Sequence, residues 1–317
     1  MIDLNKTFLT AGEFCLPLKA GWLQCDIRQQ LLPETTDLII TELNPHNLQI
    51  LQQPLPSQLQ IWLSYDLLNL LQKMKRFELF TYNWKNFKLL PNGYPQFWGT
   101  TTITAYANDD SRFGSLALLL EQNQQRIGYC RHIAFAGSHK KRIKRWQKAF
   151  RHAQINYLLL DQTMTALPTV DHFTSEASLL HHWEKYLNHH PQAIFLALSP
   201  WNPERIGRYA ALCQAHQRQL FLQPAFGKLL DWFAPRKYQW QPASSAKQQD
   251  SLPPAEVWQI SDYHSATAKQ VWLDPAIDPT LSVSNWQNNG LRMITPPLTS
   301  TIIAAWQNEL QAEIEFI

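Results

Sequence analysis

A chain of 317 residues that is 45% hydrophobic and 12% aromatic, with 13 tryptophans, has the apolar mass to build one large core or two moderate ones, which excludes global disorder. Its net charge of +3 excludes no class of partner by itself. No apolar run reaches the roughly 18–20 residues of a membrane span. No basic segment followed by an apolar one opens the chain. The four cysteines Cys15, Cys25, Cys130 and Cys213 stand far apart with no C-x-x-C pair. The expectation is a reduced, cytoplasmic protein without a membrane partner.

In chain order, alternation and β-branched runs predict strands near Leu38–Thr41, Gln60–Ser64, Thr100–Tyr106, Leu116–Glu121, Ile133–Ala136 and Tyr157–Leu160. Tyr65 to Lys75 predicts a helix whose apolar face holds Leu67, Leu68, Leu70, Leu71 and Met74. Asn92-Gly93 and Asn123 mark turns. Residues 139–153 and Ser175 to Asn188 predict two further helices, followed by a strand at Ala193–Leu198. Pro200, Asn202 and Pro203 signal the start of a helix over Glu204 to Gln217, and Leu220–Leu222 reads as a short strand. Residues 237–257 lack apolar periodicity and hold three prolines, so they read as a loop or linker. Strand, helix and strand signals at Leu291–Ile294, Leu298–Ala312 and Glu313–Ile317 close the chain, and no internal repeat is visible.

Two local features carry chemistry. The first is Thr41-Glu42-Leu43-Asn44-Pro45-His46-Asn47, a polar cluster at the end of an apolar strand, which is a common place for a site. The second is the run HKKRIKRWQKAFRH at 139–152. Lys140, Lys141, Arg142, Lys144, Arg145, Lys148 and Arg151 fall within twelve positions, and no acid occurs between Glu121 and Asp161. On a helix, Ile143, Trp146 and Phe150 share the inward face and the cations cover the rest. Such a surface attracts phosphates by counterion release, or is simply a solvated face. Nine of the eleven histidines lie between His132 and His216, but His181-His182-Trp183-Glu184 is not H-E-x-x-H, and adjacent helical residues do not chelate one ion. G-x-S-x-G, P-loop and G-x-G-x-x-G motifs are absent.

Three stretches, TAYANDDSRFGSLALLLEQNQQRIGYCRHIAF (104–135), INYLLLDQT (155–163) and IFLALSPWNPERIGRYAALCQAHQRQLFLQPAFGKLL (194–230), in this order and spacing, resemble the metallo-β-lactamase fold with a β-CASP insert, the architecture of RNase J-type nucleases. The resemblance covers most of 36–317. It implies an α/β fold, an αββα sandwich with a shortened β-CASP-like insert. It divides the chain into a first part at 1–165, an insert and linker at 166–258, and a return to the sandwich at 259–317. In that family a Ser-His-x-His-x-Asp-His loop, a later His, a later Asp and a C-terminal His hold two zinc ions that activate water. Carried onto this chain, Glu42, Asn44, His46 and Asn47 replace the loop's ligands, Asp110 replaces a His, His132 replaces an Asp, and Thr295-Pro296-Pro297-Leu298 has no His. Asp161 stands at the acid of the first β-CASP motif, and Arg205 and Arg218 stand near arginines of the insert. The resemblance therefore implies a non-catalytic relative without a cofactor. Its partner would be RNA, held by Arg205 and the basic run, an active homologous subunit, or a second copy of itself. The rival expectation is a metal-dependent hydrolase of phosphodiesters or small esters, with one Zn or Mn held by Glu42, His46, Asp110, His132 and Asp161 in a rearranged site.

Overall fold

The computed structural model describes residues 9–10, 13–43, 45–82, 85–109, 112–133, 137–160, 175–189, 194–197, 201–218, 220–242, 255–258, 271–273, 307–308, 310 and 313–316. Asn44, Asp110, Asp161, Thr295–Leu298 and the expected strand at Leu291–Ile294 lie outside them. The chain is α/β and divides into two compact units.

The first unit comprises Met1–Leu70, Tyr82–Leu167 and Pro297–Ile317. Its first sheet has six strands in sequence order: β1 (Leu9–Thr10), β2 (Glu13–Leu18), β3 (Gly21–Cys25), β4 (Thr35–Ile39), β5 (Gln60–Leu63) and β6 (Phe87–Leu89). β1, β2 and β3 pair antiparallel, and β3 through β6 run parallel. Parallel neighbours need a crossover, and α1 (Pro45–Gln52) and α2 (Tyr65–Arg76) lie on the β4–β5 and β5–β6 connections. The first half of the N-terminal region, from which no strand was expected, thus supplies the antiparallel edge of this sheet.

The second sheet holds β7 (Pro95–Trp98), β8 (Thr101–Ala107), β9 (Leu116–Gln122), β10 (Gln125–Cys130), β11 (Tyr157–Leu160) and β17 (Glu313–Phe316), in the order β17-β11-β10-β9-β8-β7. α3 (Lys140–Ala153) makes the crossover between the parallel strands β10 and β11. The two sheets pack face to face: Leu16, Leu23 and Ile39 of the first share one buried cluster with Ile103, Leu118 and Tyr129 of the second. The opposite face of the second sheet, Ala117, Leu119, Cys130 and Leu158, packs on Ile143, Trp146 and Phe150 of α3. Both faces of β9 are therefore dry, which is why Leu116–Leu120 is an unbroken apolar run.

Most of the strand expected at Ile133–Ala136 lies outside the described residues, and a strand that was not expected runs just before it, at Gln125–Cys130. Asn123 and Gln124 both take left-handed backbone (φ 49° and 66°), so a two-residue turn joins β9 directly to β10. Gly128 in β10 is required by packing, because a Cβ there would meet the Phe150 ring at 2.8 Å.

The second unit comprises Leu71–Thr81 and Pro168–Pro296. It contains α4 (Glu176–His189), β12 (Ile194–Ala197), α5 (Pro203–Ala215), β13 (Leu220–Leu222), α6 (Pro224–Phe233), β14 (Gln241–Pro242), β15 (Ala255–Trp258) and β16 (Val271–Leu273). The strands form one all-parallel sheet, ordered β14-β13-β15-β12-β16. α5 starts as expected, with Pro203 in the first turn and the Asn202 side chain accepting from Arg205 N. β16 belongs to this sheet, and by contacts this unit runs to Pro296 while Pro297–Ile317 groups with the first. The stretch 237–257, expected as a loop, contributes β14 and most of β15. No helix among the described residues is long and apolar enough to cross a membrane.

Candidate functional site

β3, β4, β8 and β10 finish at one edge of the sandwich, and a buried polar network joins their ends. Asp26 follows β3 with left-handed backbone (φ 56°) and no solvent exposure. Its carboxylate accepts from Thr41 N (2.8 Å), Asn47 Nδ2 (3.0 Å), Tyr129 Oη (2.9 Å) and Thr41 Oγ1. Burial pushes this carboxyl up, Arg131 opposes that, and the neighbouring Glu42 adds to it. Asn47, on α1, also donates to Glu42 O (2.9 Å) and accepts from Ile27 N (2.9 Å). Its amide braces the chain, which explains a buried Asn in a ligand-like position.

Glu42 is the centre of the cluster and is 1% exposed. Its carboxylate accepts from Arg112 Nη1 at 2.9 Å, lies 2.8 and 2.9 Å from His132 Nδ1, and pairs with Arg131 Nε at 3.5 Å. Burial opposes its charge, but Arg112, then His132 and Arg131, outweigh that and hold the carboxyl well below the usual carboxylate range. An ionised carboxylate only accepts, so the fitting form of His132 carries its proton on Nδ1. Arg131 also donates to Ile27 O at 3.1 Å, tying β10's end to β3's.

The expected site residues are thus partly assembled. Glu42, Asn47 and His132 meet at the strand ends; Asn44, Asp110 and Asp161 lie outside the described residues. His46 falls in the first turn of α1, so the expected loop becomes a helix from Pro45, whose fixed φ suits a first helical turn. Asp26, Arg112 and Arg131 were not among the expected residues. Asp26 was hidden because β3 was not recognised, and the arginines because the resemblance directs attention to metal ligands.

The residues present do not fit a zinc ion at Glu42. Both of its oxygens are already engaged, and two guanidiniums are fixed beside them. A unit positive charge about 4 Å from another costs about 4 kcal/mol at an effective dielectric of 20, and a divalent ion doubles that. Among the described residues, no group of three or more His, Cys, Asp or Glu is arranged to hold a metal.

The network continues into α3. Asn108, following β8, donates to His132 O (2.8 Å) and accepts from Trp146 Nε1 (3.1 Å). Asp109 accepts from His139 N at the start of α3 and lies so close to Gly137 that a Cβ there would meet its carboxylate at 2.5 Å. The basic residues of the helix point outward. Lys140, Lys141, Lys144, Arg145, Lys148 and Arg151 are exposed and Arg142 is half-buried, while Ile143, Trp146 and Phe150 are buried. Lys140, Lys141 and Arg142 occupy the positive end of the helix dipole, an unfavourable place costing about 0.3–1 kcal/mol each at low salt. Like-charge pairs four apart, such as Lys141 with Arg145 and Lys144 with Lys148, cost about 0.2–0.5 kcal/mol each. Burying Ile143, Trp146 and Phe150 at about 1.5–3 kcal/mol apiece outweighs these terms. The inward face makes the helix; the outward charges of its first three turns weaken it, while Arg151 in the last turn suits the dipole.

Arg205 belongs to the second unit and is buried within it. Its guanidinium is fully buried and bidentate on Glu176, with Nε at 2.9 Å from one oxygen and Nη2 at 2.8 Å from the other. The expected nucleic-acid contact is a buried ion pair between α5 and α4, set by Asn202 capping. Arg218 donates to Leu187 O at 3.3 Å.

No family model and no curated protein matches this chain. Among solved structures, the crystal structure of a protein of unknown function from Enterococcus faecalis V583 is similar, with a TM-score of 0.65 at 12% identity over 95% of this chain and 88% of that one. At that identity the similarity is one of fold.

Proposed function

We propose that the chain is a non-catalytic member of the metallo-β-lactamase/β-CASP superfamily that binds RNA through α3. Two mixed sheets packed face to face, α3 against the outer face, and a separate all-parallel unit inserted between β11 and β17 support the αββα sandwich and its β-CASP-like insert. One observation carries the non-catalytic reading: the Glu42 carboxylate, first of the altered ligand positions, is satisfied by Arg112, Arg131 and His132. Fixed cations of the chain neutralise the acid in place of a metal. A hydrolase of this kind needs a metal-bound water beside its phosphate, and this cluster supplies neither an open carboxylate nor a low positive potential for the ion.

The RNA reading rests on the charge of α3, where Lys140, Lys141, Lys144, Arg145 and Lys148 are exposed and crowd like charges into its first three turns. The test is made on protein purified without chelator. The expected result is no stoichiometric transition metal and no cleavage of single-stranded RNA with added zinc or manganese, together with salt-sensitive RNA binding. One tightly held metal per chain that disappears in Glu42→Gln would overturn the proposal. So would binding that survives removal of the α3 charges.

A further inference from the structure

We infer that α3 reads nucleic acid by its phosphates alone, preferring a duplex to a single strand and ignoring base sequence. This rests on the RNA-binding reading and narrows it. Lys141, Arg145, Lys148 and His152 recur at i, i+4, i+7 and i+11, directly opposite the buried Ile143, Trp146 and Phe150. They form a straight stripe of roughly 16 Å, at 1.5 Å per residue. Lys144 and Arg151 flank it, and no acid interrupts it.

Both large aromatic side chains of the helix point the other way. Trp146 and Phe150 are buried, Trp146 Nε1 is held by Asn108, and Phe150 lies against Tyr106. The exposed aromatics of the described residues, Tyr65, Tyr94 and Phe97, lie on α2, the β6–β7 connection and β7, not on α3. A single strand gains much of its affinity from stacking bases on large aromatic rings, and the exposed face of α3 offers only the small imidazole of His152 in its last turn. It presents point charges, and a duplex offers the denser array of phosphates and releases more counterions per contact. Asn, Gln, Ser and Thr, the neutral readers of base edges, are also missing from the stripe: Gln147 is half-buried on its flank and is the helix's one such residue.

The experiment is fluorescence anisotropy across a salt series with an RNA duplex of about 16 base pairs, longer than the helix. A mixed single strand of the same length and the two homopolymers of U and A complete the set. The expected result is tighter binding of the duplex, with a slope of log K on log salt of roughly −4 for about four contacts. The two homopolymers bind alike. Replacing Lys141, Arg145 and Lys148 by Gln flattens the duplex slope by about 3, and replacing them by Glu abolishes binding. Far-UV circular dichroism confirms that each variant folds, and the Gln variant carries the test if the Glu variant does not.

Tighter binding of single strands, or a preference for one homopolymer, would overturn the inference and leave the RNA reading intact. Absence of binding to every nucleic acid would overturn both and direct attention to an acidic protein surface.

Discussion

Glu42 shows how one substitution changes what its surroundings must do. A buried carboxylate needs compensation, and Arg112, Arg131 and His132 provide it from two separate segments after β8 and β10. Glu42→Gln would leave two guanidiniums facing a neutral amide. Removing one partner of a buried pair costs about 3–5 kcal/mol; because Arg112 and His132 reach solvent, the expected loss is nearer 2–3 kcal/mol, read from the urea midpoint at neutral pH. Adding Arg112→Gln recovers part of it. The acid dependence has a definite sign. The folded pKa of Glu42 lies below its unfolded value of about 4.3, so its contribution is present above that pH and is lost as pH falls through the lower folded value. Asp26, whose carboxyl is pushed up by burial, acts oppositely: its ionisation opposes folding as pH rises through its folded value. Stability measured from pH 5 down to pH 2 is therefore expected to fall less steeply in Glu42→Gln than in the native chain. Equal slopes would mean that Glu42 is not held as an ionised group.

At the scale of elements, legibility followed burial. Long elements with one dry face announced themselves: α2 by Leu67, Leu70, Leu71 and Met74, and α3 by Ile143, Trp146 and Phe150. Two-faced burial also showed, as the apolar run of β9. β10 was missed because QRIGYC opens with polar residues and contains a glycine, both of which weigh against a strand in isolation. The glycine has a reason only across the sheet, where the Phe150 ring sits on it. The candidate site was half legible. The strand-end position of Glu42 was visible, but the arginines that neutralise it come from sequence-distant segments, and nothing local signals them. Arg205 was misplaced for the same cause, since its partner Glu176 is on another helix. The packing argument gives a prediction: Gly128→Ala must displace Phe150 or move α3 off β10. Its expected cost is about 1–3 kcal/mol, seen as a lower thermal midpoint with reduced near-ultraviolet circular dichroism from the Trp146 and Phe150 cluster. An unchanged midpoint would show that α3 is not seated on β10 as described.

Across the whole molecule, charge is unevenly distributed. The net charge is only +3, yet α3 alone carries seven lysines and arginines and no acid, so the rest of the chain is net negative. A uniform +3 on a body this size would hold a polyanion weakly. At physiological ionic strength a field fades over about 8 Å, so a phosphate near α3 senses the helix and little of the remainder. This separates local from global electrostatics by experiment. Lys141, Arg145 and Lys148 changed to Glu, and Lys19, Lys85 and Lys88 changed to Glu, lower the net charge equally; all six residues are exposed, and the second three lie on or beside the first sheet, with the second sheet between them and α3. If binding followed net charge, the two triple variants would lose it alike. If it follows the stripe, the first loses it while the second keeps most of its affinity at about 0.15 M salt. The second variant departs from native binding only at low ionic strength, where the screening length approaches 30 Å at 0.01 M and distant charges are felt again. Titration of the RNA duplex with both proteins at the two salt concentrations decides between them, and equal losses at the higher salt would remove α3 as the binding element.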